Sequence, residues 1–187
     1  MEEDKSKLVI KLDTSRDHCA GAASVFLMRR LAARAGCYAP GIQEHLFYEM
    51  IQGSYGFSLK QVDDWIRLHR GDLVALGYNF LARLGGEQTS DVQAWVADGR
   101  GFRGAVLGTN RETLYGEQLV GSTYHSVALT YNDPTSGIPD EALGNSVVMV
   151  DPWPHDSIKF LKPPTTLDRA HRDQNYTTLL LFWAGYG

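Results

Sequence analysis

The chain has 187 residues, 43% of them hydrophobic, with 18 basic against 22 acidic side chains and a net charge of −4. That length and composition suit one compact domain with a sizeable core, and residues 1–187 are expected to form it. The acidic balance and the lack of a basic stripe speak against a nucleic-acid partner, and no run approaches the ~20 apolar residues of a membrane span.

The opening, MEEDKSKLVIKLD, is acidic and lacks the long apolar core of a signal peptide. A soluble chain is expected, and KLVIKL suits a short strand. TSRDHCAGAASVFLMRRLAARAG follows, from Thr14 to Gly36. Its apolar residues recur three and four apart, and Gly36 supplies a stop. The stretch predicts a helix with Cys19 near its start. IQEHLFYEMIQGSYG predicts a second helix. SLKQVDDWIRLHRG predicts a third, N-capped by Ser58, with Gln61 closing a capping box. TSDVQAWVADGRG predicts a short fourth helix, capped by Thr89 or Ser90.

The pattern then changes. GAVLGTN, YHSVALTYN, SVVMVDPW and YTTLLLFWAG are β-rich runs bounded by Gly, Pro, Asn and Asp clusters. NDPTSGIPDEALGN reads as a long, turn-rich loop within a hairpin. Helices first and strands second indicate an α+β domain with a mainly antiparallel sheet.

Of the two cysteines, Cys37 follows the helix stop and reads as structural. A Cys19–Cys37 bridge would have to span about 27 Å of helix, which excludes it. Cys19 has two readings. One is a buried, inert thiol. The other is a nucleophile, because a helix N-terminus lowers a thiol's pKa. A nucleophile needs a base, and the base needs an orienting group. Six histidines are candidates. His45 and His69 stand beside charged residues in predicted helices, and His171 lies in the polar stretch LDRAHRDQN; all three read as solvated. His155 follows DPWP in a loop. His18 adjoins Cys19, and neighbours on a helix do not face each other.

His125 differs. It opens the strand HSVALTY, and the next strand, SVVMV, runs back to end at Asp151. In an antiparallel pair the start of one strand lies beside the end of the next. His125 and Asp151 are therefore predicted to meet, with Asp151 fixing the imidazole tautomer and Pro152 stopping the strand. A zinc set of His18, Cys19, His125 and Asp151 lacks Cys-x-x-Cys or His-x-x-x-His spacing. No metal and no cofactor are expected.

DHCAGA, YHSVALTY and VVMVDPW, in this order, resemble the papain-like cysteine proteases. The likeness is closest to the bacterial branch related to double-glycine leader peptidases and to papain-like toxin and effector proteases. As an order of elements it runs from Lys11 to Trp183. It implies N-terminal helices, with the nucleophile at a helix start, packed on a C-terminal antiparallel sheet. It also implies a Cys19–His125–Asp151 triad and a peptidase acting on a protein or peptide. A toxin or effector module of this kind would be secreted, would act in a target-cell cytoplasm and would have a cognate inhibitor or immunity protein.

Papain-like enzymes carry a glutamine before the cysteine that helps form the oxyanion hole. Here the first glutamine is Gln43, and Asp13 occupies the matching offset. An ionised carboxylate cannot donate a hydrogen bond. Asp13 fills the role only when protonated, with Thr14, Ser15 or a backbone N–H as alternatives. Ala20 stands where glycine is usual. A transglutaminase-like acyltransferase or deamidase would use the same triad, although in that family the cysteine lies much closer to the histidine. An inactive papain-fold binding domain is a third reading.

Overall fold

The computed structural model describes residues 19–37, 58–116, 124–132, 146–151 and 159–187. The expected KLVIKL strand, the second helix and most of the long loop lie outside them. The elements are α1 (Cys19–Arg34), α2 (Leu59–Leu68), α3 (Arg70–Ala75), β1 (Phe80–Gly85), α4 (Thr89–Asp98), β2 (Arg103–Asn110), α5 (Arg111–Tyr115), β3 (Tyr124–Tyr131), β4 (Val147–Asp151), β5 (Lys159–Leu161), α6 (Leu167–Arg172) and β6 (Thr178–Trp183).

The fold is α+β. Six strands form one open sheet in the order β1-β6-β2-β3-β4-β5, and every neighbouring pair is antiparallel. The order of elements departs from helices first and strands second: β1 precedes α4, and α5 and α6 fall between strands. β1 escapes a reading by pattern because it is an edge strand with exposed Arg83 and Leu84 and no β-branched residue.

Both faces of the sheet are covered. On one side Phe26, Leu31, Val62 and Ile66 of α1 and α2 pack on Val106, Ala128, Val148 and Leu179. On the other, Val92, Val96, Leu114, Leu167 and Ala170 of α4, α5 and α6 pack on Leu107, Val127, Leu129 and Met149. Burial on both sides explains why VALTY and VVMV carry near-continuous apolar runs instead of alternating.

Helix α1 is buried at every position from Cys19 to Ala32, the pattern of a helix enclosed on all sides. It lies close to β2 because Gly104 has no side chain; a Cβ there would sit 2.8 Å from Leu27 Cδ2. Arg30 fixes the far end, donating from Nε to Thr130 Oγ1 at 2.8 Å and from Nη2 to the Tyr131 carbonyl at 2.9 Å. Cys19 meets Ser126 at the near end. The step from Cys19 to Arg30 rises about 16 Å and the step from Ser126 to Thr130 about 13 Å. Helix and strand therefore run side by side, and the sulfur's place follows from that alignment.

The Ser58–Gln61 capping box forms as expected, with both reciprocal bonds present. The cap expected for α4 does not form. Its N-cap is Gln88, with no side-chain cap bond, because the Thr89 hydroxyl is committed to His171 Nδ1 at 2.8 Å. His171 itself is a correction. It stands in α6, fully buried, where a solvated loop was expected. The Thr178 hydroxyl donates to the Tyr176 carbonyl, so it accepts from His171 Nε2–H at 2.9 Å. That leaves Nδ1 to accept from Thr89.

Burial pushes the His171 imidazole below its ordinary value of 6.5, partly offset by bonds to the Thr177 and Tyr176 backbone and by the Asp168 charge. A depressed folded value favours the neutral ring. Stability should therefore fall as pH drops below 6.5 toward that lower value. Urea midpoints on the two sides of that range should differ more in the wild type than in His171→Gln. Equal differences would show that His171 contributes no such dependence.

Candidate active site

β2 and α5 prepare the place for His125. Thr109 lies opposite His125 in the β2–β3 ladder and donates its hydroxyl to the His125 carbonyl at 2.7 Å. β3 and β4 pair Ala128 with Val150. Continued by one residue, that register sets Asp151 opposite Val127, and His125 lies two positions further along the same face. Such diagonal neighbours are within reach of long side chains. The bond forms: His125 Nε2 lies 2.8 Å from Asp151 Oδ1, with His125 4% exposed and Asp151 fully buried.

The second carboxylate oxygen is also held. Tyr115, the last residue of α5, donates its hydroxyl to Asp151 Oδ2. Asn110 caps α5 by accepting from the Thr113 N–H, and Gly116 ends it in the left-handed region at φ 68°. A single helical turn thus carries Tyr115 from the end of β2 to the end of β4. Sequence reading missed this residue. The available signal was Asn110 with Thr113 three positions on, an N-cap directly after a strand.

Cys19 completes the cluster. The Ser126 N–H points at its sulfur at 3.4 Å, and the His125 imidazole and the Ser126 hydroxyl act on the same atom, both favouring its thiolate. With Nε2 turned to Asp151, Nδ1 is the ring nitrogen left for sulfur. Burial alone pushes the Cys19 thiol up. The bond to His125, the imidazolium charge and the two Ser126 donors outweigh it, so the thiol lies below its ordinary 9.0. Burial pushes His125 down, but bonds to Asp151 and Cys19 and their charges raise it from 6.5 to about 9. Between the lowered thiol value and about 9 the two groups form a thiolate–imidazolium pair.

The structure thus brings Cys19, His125 and Asp151 together. Asp13, Thr14, Ser15, His18, His45, Pro152, Trp153 and His155 lie outside the described residues. Cys37 is half-buried against the α1-side core, and both thiols are free. His69 is half-buried rather than solvated, stacked on Trp65 at 4.3 Å with Nδ1 on the Trp65 carbonyl. Among the described residues no three His, Cys, Asp or Glu side chains gather as a metal-binding group, and no helix is long and apolar enough to cross a membrane.

A scan against protein-family models gave no match, and a search of curated proteins gave none.

The pair has a pH signature. Alkylation of Cys19 by iodoacetamide should rise through its lowered thiol value and stay high, because the reagent needs only the thiolate. Turnover of a peptide also needs the imidazolium proton for the leaving amine. Its kcat/KM should therefore rise on the same limb and fall as pH passes about 9. A turnover profile with no alkaline fall in that region would contradict the pairing.

Proposed function

We propose that the protein is a cysteine hydrolase of papain-like architecture, a peptidase in which residues 19–151 of one catalytic domain supply a Cys19–His125–Asp151 triad. The observation that carries this reading is the His125 imidazole, held by Asp151 at 2.8 Å and coupled to the Cys19 sulfur. The order of elements supports it too: a helix bearing the cysteine, then a β-strand opening on the histidine, then an antiparallel strand ending on the acid.

In this mechanism the thiolate attacks the scissile carbonyl carbon, and the carbonyl electron pair moves to oxygen. The Cys19 N–H and a donor from Asp13 to Ser15 steady that oxyanion. Collapse breaks the C–N bond, and the imidazolium gives its proton to the departing amine. The neutral imidazole then takes a proton from water, which adds to the thioester and releases the acid and the free thiolate. Asp151 holds the ring throughout and stabilises its charged form. A protein or peptide is the substrate class. A secreted toxin or effector with a cognate inhibitor is the setting that the sequence resemblance favours.

The test is a proteome incubated with the wild type or with Cys19→Ala and read by mass spectrometry. New N-termini only with the wild type would support a peptidase. Amine-linked adducts or glutamine-to-glutamate changes would replace it with the acyltransferase or deamidase. Identical proteomes would leave a binding domain.

A further inference from the structure

We propose that Ser126 and Tyr124 form a hydroxyl pair that holds the Cys19 sulfur as a thiolate from the side opposite His125. Side chains alternate along a strand. Tyr124 and Ser126 therefore share the α1 face of β3, while His125 between them belongs to the other face. Ser126 is fully buried; its N–H points at the sulfur at 3.4 Å, and its hydroxyl, on the face that α1 covers, helps hold the Cys19 thiol below its ordinary value.

The same hydroxyl lies 3.5 Å from the Tyr124 phenol oxygen, the outer limit of a hydrogen bond. A hydroxyl has a single proton to give. When Ser126 gives it to the thiolate, the phenol O–H is free to donate to the Ser126 lone pair. The Ser126 hydroxyl, which otherwise donates to the Tyr124 oxygen, thus turns its proton to the thiolate, and the order of donation then runs from Tyr124 to Ser126 to Cys19. Burial pushes the Tyr124 phenol above its ordinary 10.0; the bond to Ser126 pulls it back in part and the negative sulfur pushes it up again, so the phenol stays protonated across the working range.

Gly108 makes room for this arrangement. It lies opposite Ser126 in the β2–β3 ladder. A Cβ there would come 3.0 Å from the Tyr124 hydroxyl and 3.2 and 3.4 Å from its ring carbons. The bare backbone leaves that space to the Tyr124 ring and hydroxyl. Tyr124 is 37% exposed, whereas Cys19, His125, Ser126 and Asp151 are buried; the ring is the solvent-facing edge of the described cluster. The titratable and charged groups around the sulfur are His125 and Tyr124 from β3, with Asp151 from β4 and Tyr115 from α5 acting through His125. α1 brings no acid in its first turn.

The pair is a positioning device for the proposed nucleophile and rests on that reading, but the thiolate is measurable without a substrate. The experiment is the rate of Cys19 alkylation by iodoacetamide as a function of pH, read by peptide mass spectrometry. It would use the wild type, Ser126→Ala, Tyr124→Phe, Gly108→Ala and the Ser126→Ala/Tyr124→Phe double variant. Loss of one charge-assisted bond in Ser126→Ala should cut the rate on the acid limb by roughly tenfold and move that limb to higher pH. Tyr124→Phe and Gly108→Ala should move it the same way by a smaller factor, about two- to threefold. Because Tyr124 acts through Ser126, Tyr124→Phe should add nothing in the Ser126→Ala background.

An unmoved limb in Ser126→Ala, or a Tyr124→Phe effect that persists in the double variant, would overturn the pair. Tyr124→Phe keeps the ring, so it carries the test should Ser126→Ala fail to fold. His125→Ala serves as the separating control. If it raises the limb while Ser126→Ala does not, only the pair falls. If wild-type Cys19 reacts no faster than Cys37 at neutral pH, the nucleophile itself falls.

Discussion

His125→Ala is expected to remove turnover almost as completely as Cys19→Ala, by on the order of 10³–10⁶-fold. The imidazole touches both partners of the cluster, so its loss acts twice. It takes away the charge that holds the Cys19 thiol below its ordinary value, and it takes away the proton for the leaving amine. The double variant should be scarcely worse than either single one, because members of a triad fail as a unit. Rates on the best peptide from the proteome experiment would measure this. Near-wild-type turnover in His125→Ala would remove histidine from the mechanism.

Asp151→Asn is expected to cost less, about 10–10⁴-fold, with the upper value where the tautomer is lost. The carboxylate accepts from two donors, His125 Nε2–H and the Tyr115 hydroxyl. An amide can offer its oxygen to His125 and turn its NH₂ to the tyrosine oxygen, so the geometry survives while the charge does not. The alkaline limb of turnover should then move down from about 9 toward the ordinary imidazole value. Asp151→Ala leaves a buried N–H without its partner, a penalty of about 1–3 kcal/mol, and should also lower stability. Full activity in Asp151→Ala would transfer the orienting role to another residue.

Apart from Cys19, placed by its helix start, the parts of this site that sequence reading reached are those fixed by strand ends. VALTY and VVMV announce themselves because both faces of each strand are buried, and the turn residues around them mark where they start and stop. Once both strands are placed, antiparallel pairing dictates that His125 and Asp151 meet. Tyr115 was missed: Asn110 and Thr113 mark a helix start, but nothing in RETLY tells that its one turn ends over β4. His171 was misread for a related reason. LDRAHR buries Leu167, Ala170 and His171 but exposes its other three letters, all charged, and of the two threonines that satisfy the ring Thr178 opens the next strand while Thr89 comes from the distant α4. β1, an edge strand with no β-branched residue, left no periodic trace.

β3 keeps two inventories in one string of letters. Its odd positions, His125, Val127 and Leu129, serve one side of the sheet, and its even positions, Tyr124, Ser126, Ala128 and Thr130, serve the other. A single deletion inside the strand would exchange the two sets, burying an imidazole against α1 and sending the serine toward Asp151. Substitution can therefore explore this strand one letter at a time, whereas a length change of one residue cannot. The connection from β3 to β4 is under no such parity rule. Doubling a loop's length costs only about 0.6 kcal/mol in closure entropy, so diversity in chain length should accumulate between the histidine and the acid and be purged within the strand that carries the histidine.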